Sequence, residues 1–199
     1  MSHRSEQLAH RIEEGAAALA RFAEGLSDAD WQLPVSATDR RTLGVVTHHV
    51  ASMYPIEIQA VRTIASGRAA LDVTPELIDQ INDTHAAEHE QPGKTETLAL
   101  LRRNSRAAAD AVRALTDDEL DQAAPFGLSF GAPVTAQFVI EDHPLRHSWH
   151  HLARMRAALD AKANTRIPSG VIWEMACFDH PSVAASGSGR MSTNSLECM

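Results

Sequence analysis

Four histidines lie close together in the segment 135–161, and three of them are spaced four residues apart. His143, His147 and His151 recur at i, i+4 and i+8, a spacing that stacks side chains on one face of an α-helix. A neutral imidazole is a common metal ligand, and two imidazoles one helical turn apart can bind the same ion. The segment therefore predicts a helix that can supply two metal ligands.

A third candidate ligand lies on an earlier predicted helix, 42–65. His49 falls in the middle of the apolar face of this helix, between Val46 and Met53. Three imidazoles from two helices leave coordination positions open for water or substrate, as in catalytic metal sites. On the same helix Glu57 is rotated by about 80° from His49, where it can orient a ligand or act as a base.

Two simpler interpretations of these histidines remain open at this point. The histidine face of 135–161 can be a solvated polar face, because the apolar residues of the segment cluster on the opposite side; these are Phe138, Leu145, Trp149, Leu152 and Leu159. His49 can be a hydrogen-bonded core residue, as most isolated buried histidines are. In that case no metal binds, and the side chains of His147 and His151 face bulk water far from His49.

Helical periodicity extends over most of the chain and predicts an all-α body at residues 5–161. Further helices are expected at about 5–25 and 96–115 and between Thr74-Pro75 and Pro92-Gly93, with a capping box at Thr116–Glu119 and a loop at 125–134. Pro55 and Pro144 interrupt two of the helical patterns, where we expect kinks or a free carbonyl. Residues 162–199 are a poorly specified extension, flexible at its end.

The predicted helix after Pro75 brings two more polar side chains into consideration. His85, with Asn82 three residues before it, can reach the predicted cavity as a fourth ligand or as a group supporting the ligands. The alternative is that His85 lies on the flank of its helix near Glu88 and His89. Periodicity does not choose between these two positions.

Composition and missing motifs exclude several other functions. The net charge of −8 argues against nonspecific nucleic-acid binding, and no segment reads as a signal peptide or a membrane span. Cys177 and Cys198 both lie near the C-terminus, so no disulfide framework holds the body together. The sequence contains no HExxH or ExxH motif. We therefore expect a cytoplasmic protein without nucleic-acid or membrane partners.

Four segments of the chain resemble the DinB/YfiT-like family of proposed metalloenzymes. They are TLGVVTHHVA at 42–51, INDTHAAEHE at 81–90, LLRRNSRAAADAVRALTDDELD at 100–121 and HSWHHLARMRAAL at 147–159. The resemblance implies a four-helix bundle of up-down-down-up type, here with an extra helical segment and a C-terminal extension. By motif position it implies His49, His147 and His151 as ligands of a divalent metal, while His143 lies outside the motif.

The same resemblance also implies a function. Relatives include transferases that use low-molecular-weight thiols, so we expect a metal-dependent thiol S-transferase or hydrolase acting on a small molecule, with Zn²⁺ or Ni²⁺ as the ion. The family is often dimeric, which implies a homodimer. The alternative is a non-catalytic helical stress protein that binds a ligand or a structural metal. No residue of the sequence identifies the substrate, and the catalytic residues are not assigned.

Overall fold

The computed structural model describes residues 2–165, which are mostly helical and include a short β-hairpin. The helices and strands in chain order are α1 (His3–Glu24), α2 (Asp28–Trp31), α3 (Leu43–Ala65), α4 (Pro75–Glu88), α5 (Lys94–Arg113), α6 (Asp117–Asp121), β1 (Ala123–Pro125), β2 (Pro133–Thr135), α7 (Ala136–Ile140) and α8 (Arg146–Thr165). The two cysteines and most of the predicted 162–199 extension lie outside the described residues. Helix α8 continues four residues beyond the predicted end at Ala161.

Four long helical segments form the bundle, and consecutive ones are not all neighbours. Helix α1 packs mainly against α5 and α8, whereas α3 packs mainly against α5 and the α7–α8 segment. Helices α1 and α3 therefore lie diagonally across the core. This arrangement confirms the predicted all-α four-helix bundle. None of the helices described for residues 2–165 combines the length and apolar character that a membrane span requires.

Most of the predicted helix starts are confirmed, because they depend on local side-chain contacts. The side chains of Thr42, Thr74 and Thr135 each accept a hydrogen bond from a backbone N–H of the first turn of α3, α4 and α7. Thr116 and Glu119 form the predicted capping box at α6. Such caps satisfy donors that a helix start otherwise leaves free.

The apolar stripes of α1 and α5 form the side of the core away from the histidines. The predicted stripe of α1 is buried; it consists of Leu8, Ile12, Ala16, Leu19, Ala23 and Leu26. The α5 stripe is equally buried and consists of Leu98, Leu101, Ser105, Ala108, Val112 and Leu115. Trp31 closes one end of the core, and its indole N–H donates to the carbonyl of Pro92 at 2.9 Å.

Helix α3 passes through Pro55 without ending, and a side chain from α5 replaces the missing hydrogen bond. Proline has no N–H, so the carbonyl of Ala51, one turn earlier, loses its usual helical partner. Asn104 Nδ2 donates to this carbonyl at 2.8 Å. The contact ties α5 to α3 two residues after His49.

We expect Asn104→Ala to lower the free energy of unfolding by about 1–3 kcal/mol, because the Ala51 carbonyl is left without a donor. Urea unfolding followed by circular dichroism measures the change. Arg103→Ala, on the exposed face of the same helix, serves as the control and should change stability by less than about 0.5 kcal/mol. Equal stability of the two variants would contradict the role of Asn104.

Pro144 also has a local effect, and here the helical geometry changes. Residues Glu141–Leu145 form a π-helical turn between α7 and α8, because Pro144 cannot donate to the carbonyl one turn before it. The turn changes the angular positions of the side chains around the helix axis, which we had derived for a continuous α-helix. Phe138 and Trp149, placed on the buried side by that projection, are 45% and 43% exposed.

The segment predicted as a loop at 125–134 contains regular structure. Strands β1 and β2 pair antiparallel, with Ala124 opposite Val134, and a short 3₁₀ turn, Gly127–Ser129, connects them. Gly127 is required there, since an added Cβ would lie 2.2 Å from the carbonyl oxygen of Val73. The strands are only three residues long, too short for a periodicity of two to appear in the sequence.

Candidate metal centre

Helices α3 and α8 bring three histidines to one point. His49 and His151 are buried, 5% and 7% exposed, and His147 keeps 15% of its side chain exposed. The Nε2 atoms of His49 and His147 are 3.1 Å apart. One nitrogen from each of the three rings lies within 4.8 Å of the others. The solvated-face interpretation is therefore wrong, because this face of α8 turns towards α3.

Burial keeps the two innermost imidazoles neutral. Burial, together with the nearby His147, lowers the pKa of His49 to about 2. The pKa of His151 is also lowered, first by burial and then by His147. A neutral imidazole has a free lone pair, which is the form that metal ions bind.

The donor set fits a divalent metal ion. Two nitrogens bound to one zinc ion at about 2.1 Å in tetrahedral geometry are about 3.4 Å apart, and the 3.1 Å between His49 and His147 is within a small adjustment of this distance. The Nδ1 atoms of His49 and His151 are buried without a hydrogen-bond partner among the described residues. Imidazole nitrogens suit zinc and nickel among the common ions.

Glu57 lies behind His147 on the side away from His49. Its Oε1 is 2.7 Å from Nδ1 of His147, and only 12% of the Glu57 side chain is exposed. A carboxylate at Nδ1 favours the tautomer with the proton on Nδ1, which leaves the Nε2 lone pair directed at His49. Helix α3 thus carries both a candidate ligand, His49, and a carboxylate in contact with another, His147.

A cavity of about 260 Å³ opens beside the three histidines. Its apolar wall is formed by Met53, Ile56, Ile78 and Leu128, and its polar wall includes Arg41, Asn82, Asp142, His143, Arg146 and His150. The Oδ1 atom of Asn82 is buried without a hydrogen-bond partner among residues 2–165. Ile56 of α3 faces this cavity and is 41% exposed.

An ion-pair network fixes one edge of the cavity. Asp39 Oδ2 lies 2.8 Å from Nη2 of Arg41 and 2.9 Å from Nη2 of Arg154. The hydrogen bond from Arg41 holds the pKa of the Asp39 carboxyl well below its usual range. The network connects the segment before α3 to α8, so the guanidinium of Arg41 is held at the rim.

A second histidine cluster lies beside the first. His48 Nδ1 is 2.8 Å from His85 Nε2, and the His89 ring lies 4.2 Å from that of His48 and 4.9 Å from that of His85. Burial lowers the pKa of His85 to about 4, with a further contribution from His48. The ring centroids of His85 and His49 are 5.5 Å apart, so the two clusters are adjacent.

The structure brings together most of the residues selected from sequence. His49, His147, His151 and Glu57 are in contact, and Asn82 lines the cavity. His85 does not line the cavity and contacts His48 instead.

Sequence reasoning missed three residues near these histidines. It left His48 out of the ligand set and treated His89 only as a neighbour of His85, although His85 and His89 have the same i, i+4 spacing as His147 and His151. That spacing was the signal available for the second cluster. Arg41 carried no comparable signal, because its position depends on contacts with distant residues.

Comparisons with known proteins agree with the resemblance found in the motifs. The family model of the DinB superfamily matches residues 11–155. The structure of YfiT from Bacillus subtilis, described as "a probable metal-dependent hydrolase with an unusual four-helix bundle topology", matches with a TM-score of 0.66 and 17% sequence identity, over 82% of this chain and 90% of that one. A search of curated proteins finds no match. Since the family model covers most of the bundle, the chain belongs to the DinB superfamily.

Proposed function

We propose that the protein is a divalent-metal-dependent enzyme that acts on a small molecule by hydrolysis or by transfer to a thiol. One observation carries the proposal. His49, His147 and His151 converge from two helices at the wall of a cavity of about 260 Å³. Three nitrogen ligands leave coordination positions open, and a cavity on the open side gives a substrate access to them.

A hydrogen bond between His49 and His147 is the simplest alternative account of their contact. It uses one nitrogen of each ring and leaves out His151, although a nitrogen of His151 lies within 4.8 Å of the other two rings' nitrogens. A shared ion takes one nitrogen from each of the three rings. The carboxylate of Glu57 would stabilise such a site by accepting the Nδ1 proton of His147.

Each side chain of the cavity has a distinct role in this proposal. When bound, Zn²⁺ or Ni²⁺ lowers the pKa of a coordinated water or thiol, so that the anion is available near neutral pH. His49, His147 and His151 hold the ion, and Glu57 fixes the tautomer of His147. Asn82 provides a polar contact for substrate.

The cavity wall indicates the kind of substrate. Met53, Ile56 and Leu128 provide apolar surface, while Arg41 lies at the rim. A small molecule with an apolar portion and a polar or anionic group fits this wall. The description of YfiT as a probable metal-dependent hydrolase supports hydrolysis, whereas the motif resemblance supports a low-molecular-weight thiol as co-substrate.

The proposal also covers the oligomeric state and the cellular location of the protein. The family resemblance supports a homodimer, which size-exclusion chromatography with light scattering would detect. The net charge of −8 supports a protein without nucleic-acid partners, and we place it in the cytoplasm.

Metal removal tests the proposed activity. We expect chelator-stripped protein to lose at least about 100-fold of its rate on a panel of esters, amides and thiol-conjugation substrates, since removing an ion that activates a nucleophile costs several kcal/mol. Stoichiometric Zn²⁺ or Ni²⁺ should restore the rate, and a thiol requirement would separate transfer from hydrolysis. Fully loaded protein without turnover, but with a melting temperature that falls on stripping, would support a structural metal instead.

A further inference from the structure

Helix α4 is held to the bundle by little apolar contact. Among its residues, Pro75 to Glu88, only His85 is buried, and Leu77, on the predicted apolar side, is 37% exposed. Nevertheless the helix contributes Ile78 and Asn82 to the wall of the cavity. Apolar burial therefore contributes less to its position than it does for α1 or α5, whose stripes are buried.

The second histidine cluster lies where α4 meets α3. His48 belongs to α3, His85 to the last turn of α4, and His89 is the residue that ends α4. One nitrogen from each ring lies within 4.8 Å of the others. His85 and His89, four residues apart, provide two ligands from one side of α4, as His147 and His151 do on α8.

Among the described residues, a side-chain hydrogen bond joins His48 to His85 but none reaches His89. The contact between His48 Nδ1 and His85 Nε2, at 2.8 Å, uses one nitrogen of each ring, and Ser52 Oγ lies 3.3 Å from the same His48 nitrogen. Two nitrogens bound to one ion at about 2.1 Å are about 3.0–3.4 Å apart, so a small adjustment suffices for His48 and His85 to bind the same ion.

We propose that His48, His85 and His89 form a second site for a divalent transition-metal ion such as Zn²⁺, and that this ion clamps α4 to α3. The site is separate from the one built on His49, because adjacent residues on a helix point about 100° apart. The two neighbouring histidines of α3 therefore serve different ions. By holding α4, the second ion fixes the wall that carries Asn82.

Zinc stoichiometry of the full-length protein tests the second site. Calorimetric titration and elemental analysis should give two Zn²⁺ per wild-type chain, one for the double variant His147→Ala/His151→Ala, one for His89→Ala and none for the triple variant. His10→Ala, which removes an exposed histidine of α1, is the control and should keep two. His89 is half-exposed at the end of α4, so its replacement should leave the circular dichroism spectrum unchanged.

The outcomes separate this site from the proposed metal centre. Loss of all zinc from the double variant His147→Ala/His151→Ala would overturn the second site. A wild-type stoichiometry of two in His89→Ala would overturn it as well, and His48→Gln repeats the test from α3. One zinc in His89→Ala together with one in the double variant supports both sites independently.

Hydrogen exchange tests the clamp itself. In the double variant, where only the second site remains, free Zn²⁺ at ten times its Kd should slow amide exchange in α4 by about tenfold. The slowing should disappear when His89→Ala is added. Zinc binding with unchanged exchange in α4 would overturn the clamp.

Discussion

Replacing His151 by alanine is expected to lower the Zn²⁺ affinity of the first site by at least about 100-fold. Structural zinc sites with four ligands are worth about 10–16 kcal/mol, so one ligand corresponds to about 3 kcal/mol, or about two orders of magnitude. His151 is 7% exposed and provides one of the three nitrogens of the site. Competition with a chromophoric chelator, in a His89→Ala background that removes the second site, measures the affinity.

The neighbouring histidine provides the matched control for this prediction. His150→Ala removes an imidazole from the same turn of α8, but His150 is exposed and lies outside the group of three. The Zn²⁺ affinity of the His150→Ala variant should stay within about threefold of that of the His89→Ala protein, because substitutions at exposed positions usually have small effects. Equal Zn²⁺ affinities of the His151→Ala and His150→Ala variants would contradict the proposed ligand set. His49→Ala and His147→Ala extend the test to the other two ligands.

Glu57 is expected to contribute to metal affinity without touching the metal. Replacing groups that orient a ligand costs about 10–100-fold in affinity. We expect about tenfold for Glu57→Gln, whose amide oxygen can still accept from His147, and about 100-fold for Glu57→Ala, which removes the acceptor. The same chelator competition measures both variants.

The relative Zn²⁺ affinities of the two Glu57 variants test how the carboxylate acts. If the carboxylate acts by orienting His147, the glutamine variant retains more affinity than the alanine variant. Asp79→Asn, which neutralises an exposed acid on α4, controls for the change in net charge and should leave the affinity unchanged. Wild-type affinity in Glu57→Ala would show that the 2.7 Å contact with His147 has no role in metal binding.

The helices of the bundle could be predicted from sequence because their signals are local. Threonine caps, the Thr116–Glu119 capping box and the apolar stripe of α1 depend on residues within a few positions of one another. The irregularity at Pro144 was predicted in part. The sequence shows that Pro144 lacks an N–H, but it does not show that the helix responds by forming a π-helical turn. Hairpin β1–β2 was missed because each strand is three residues long.

The candidate metal centre could be predicted only in part. The spacing of His147 and His151 and the position of His49 on an apolar face selected the three histidines that meet. The same spacing was equally compatible with a solvated face. Family resemblance favoured the metal site, but periodicity gives only the angle of a side chain around its own helix axis.

By itself, the sequence determined which residues share a helix face, where most helices start and which side chains can bind a metal. Only the tertiary structure decided which faces meet. It turned His147 towards His49, placed Glu57 against His147 and moved His85 from the cavity to His48. The physical reason is that such contacts depend on the packing of helices distant in sequence, which leaves no periodic signal in the sequence of any one of them.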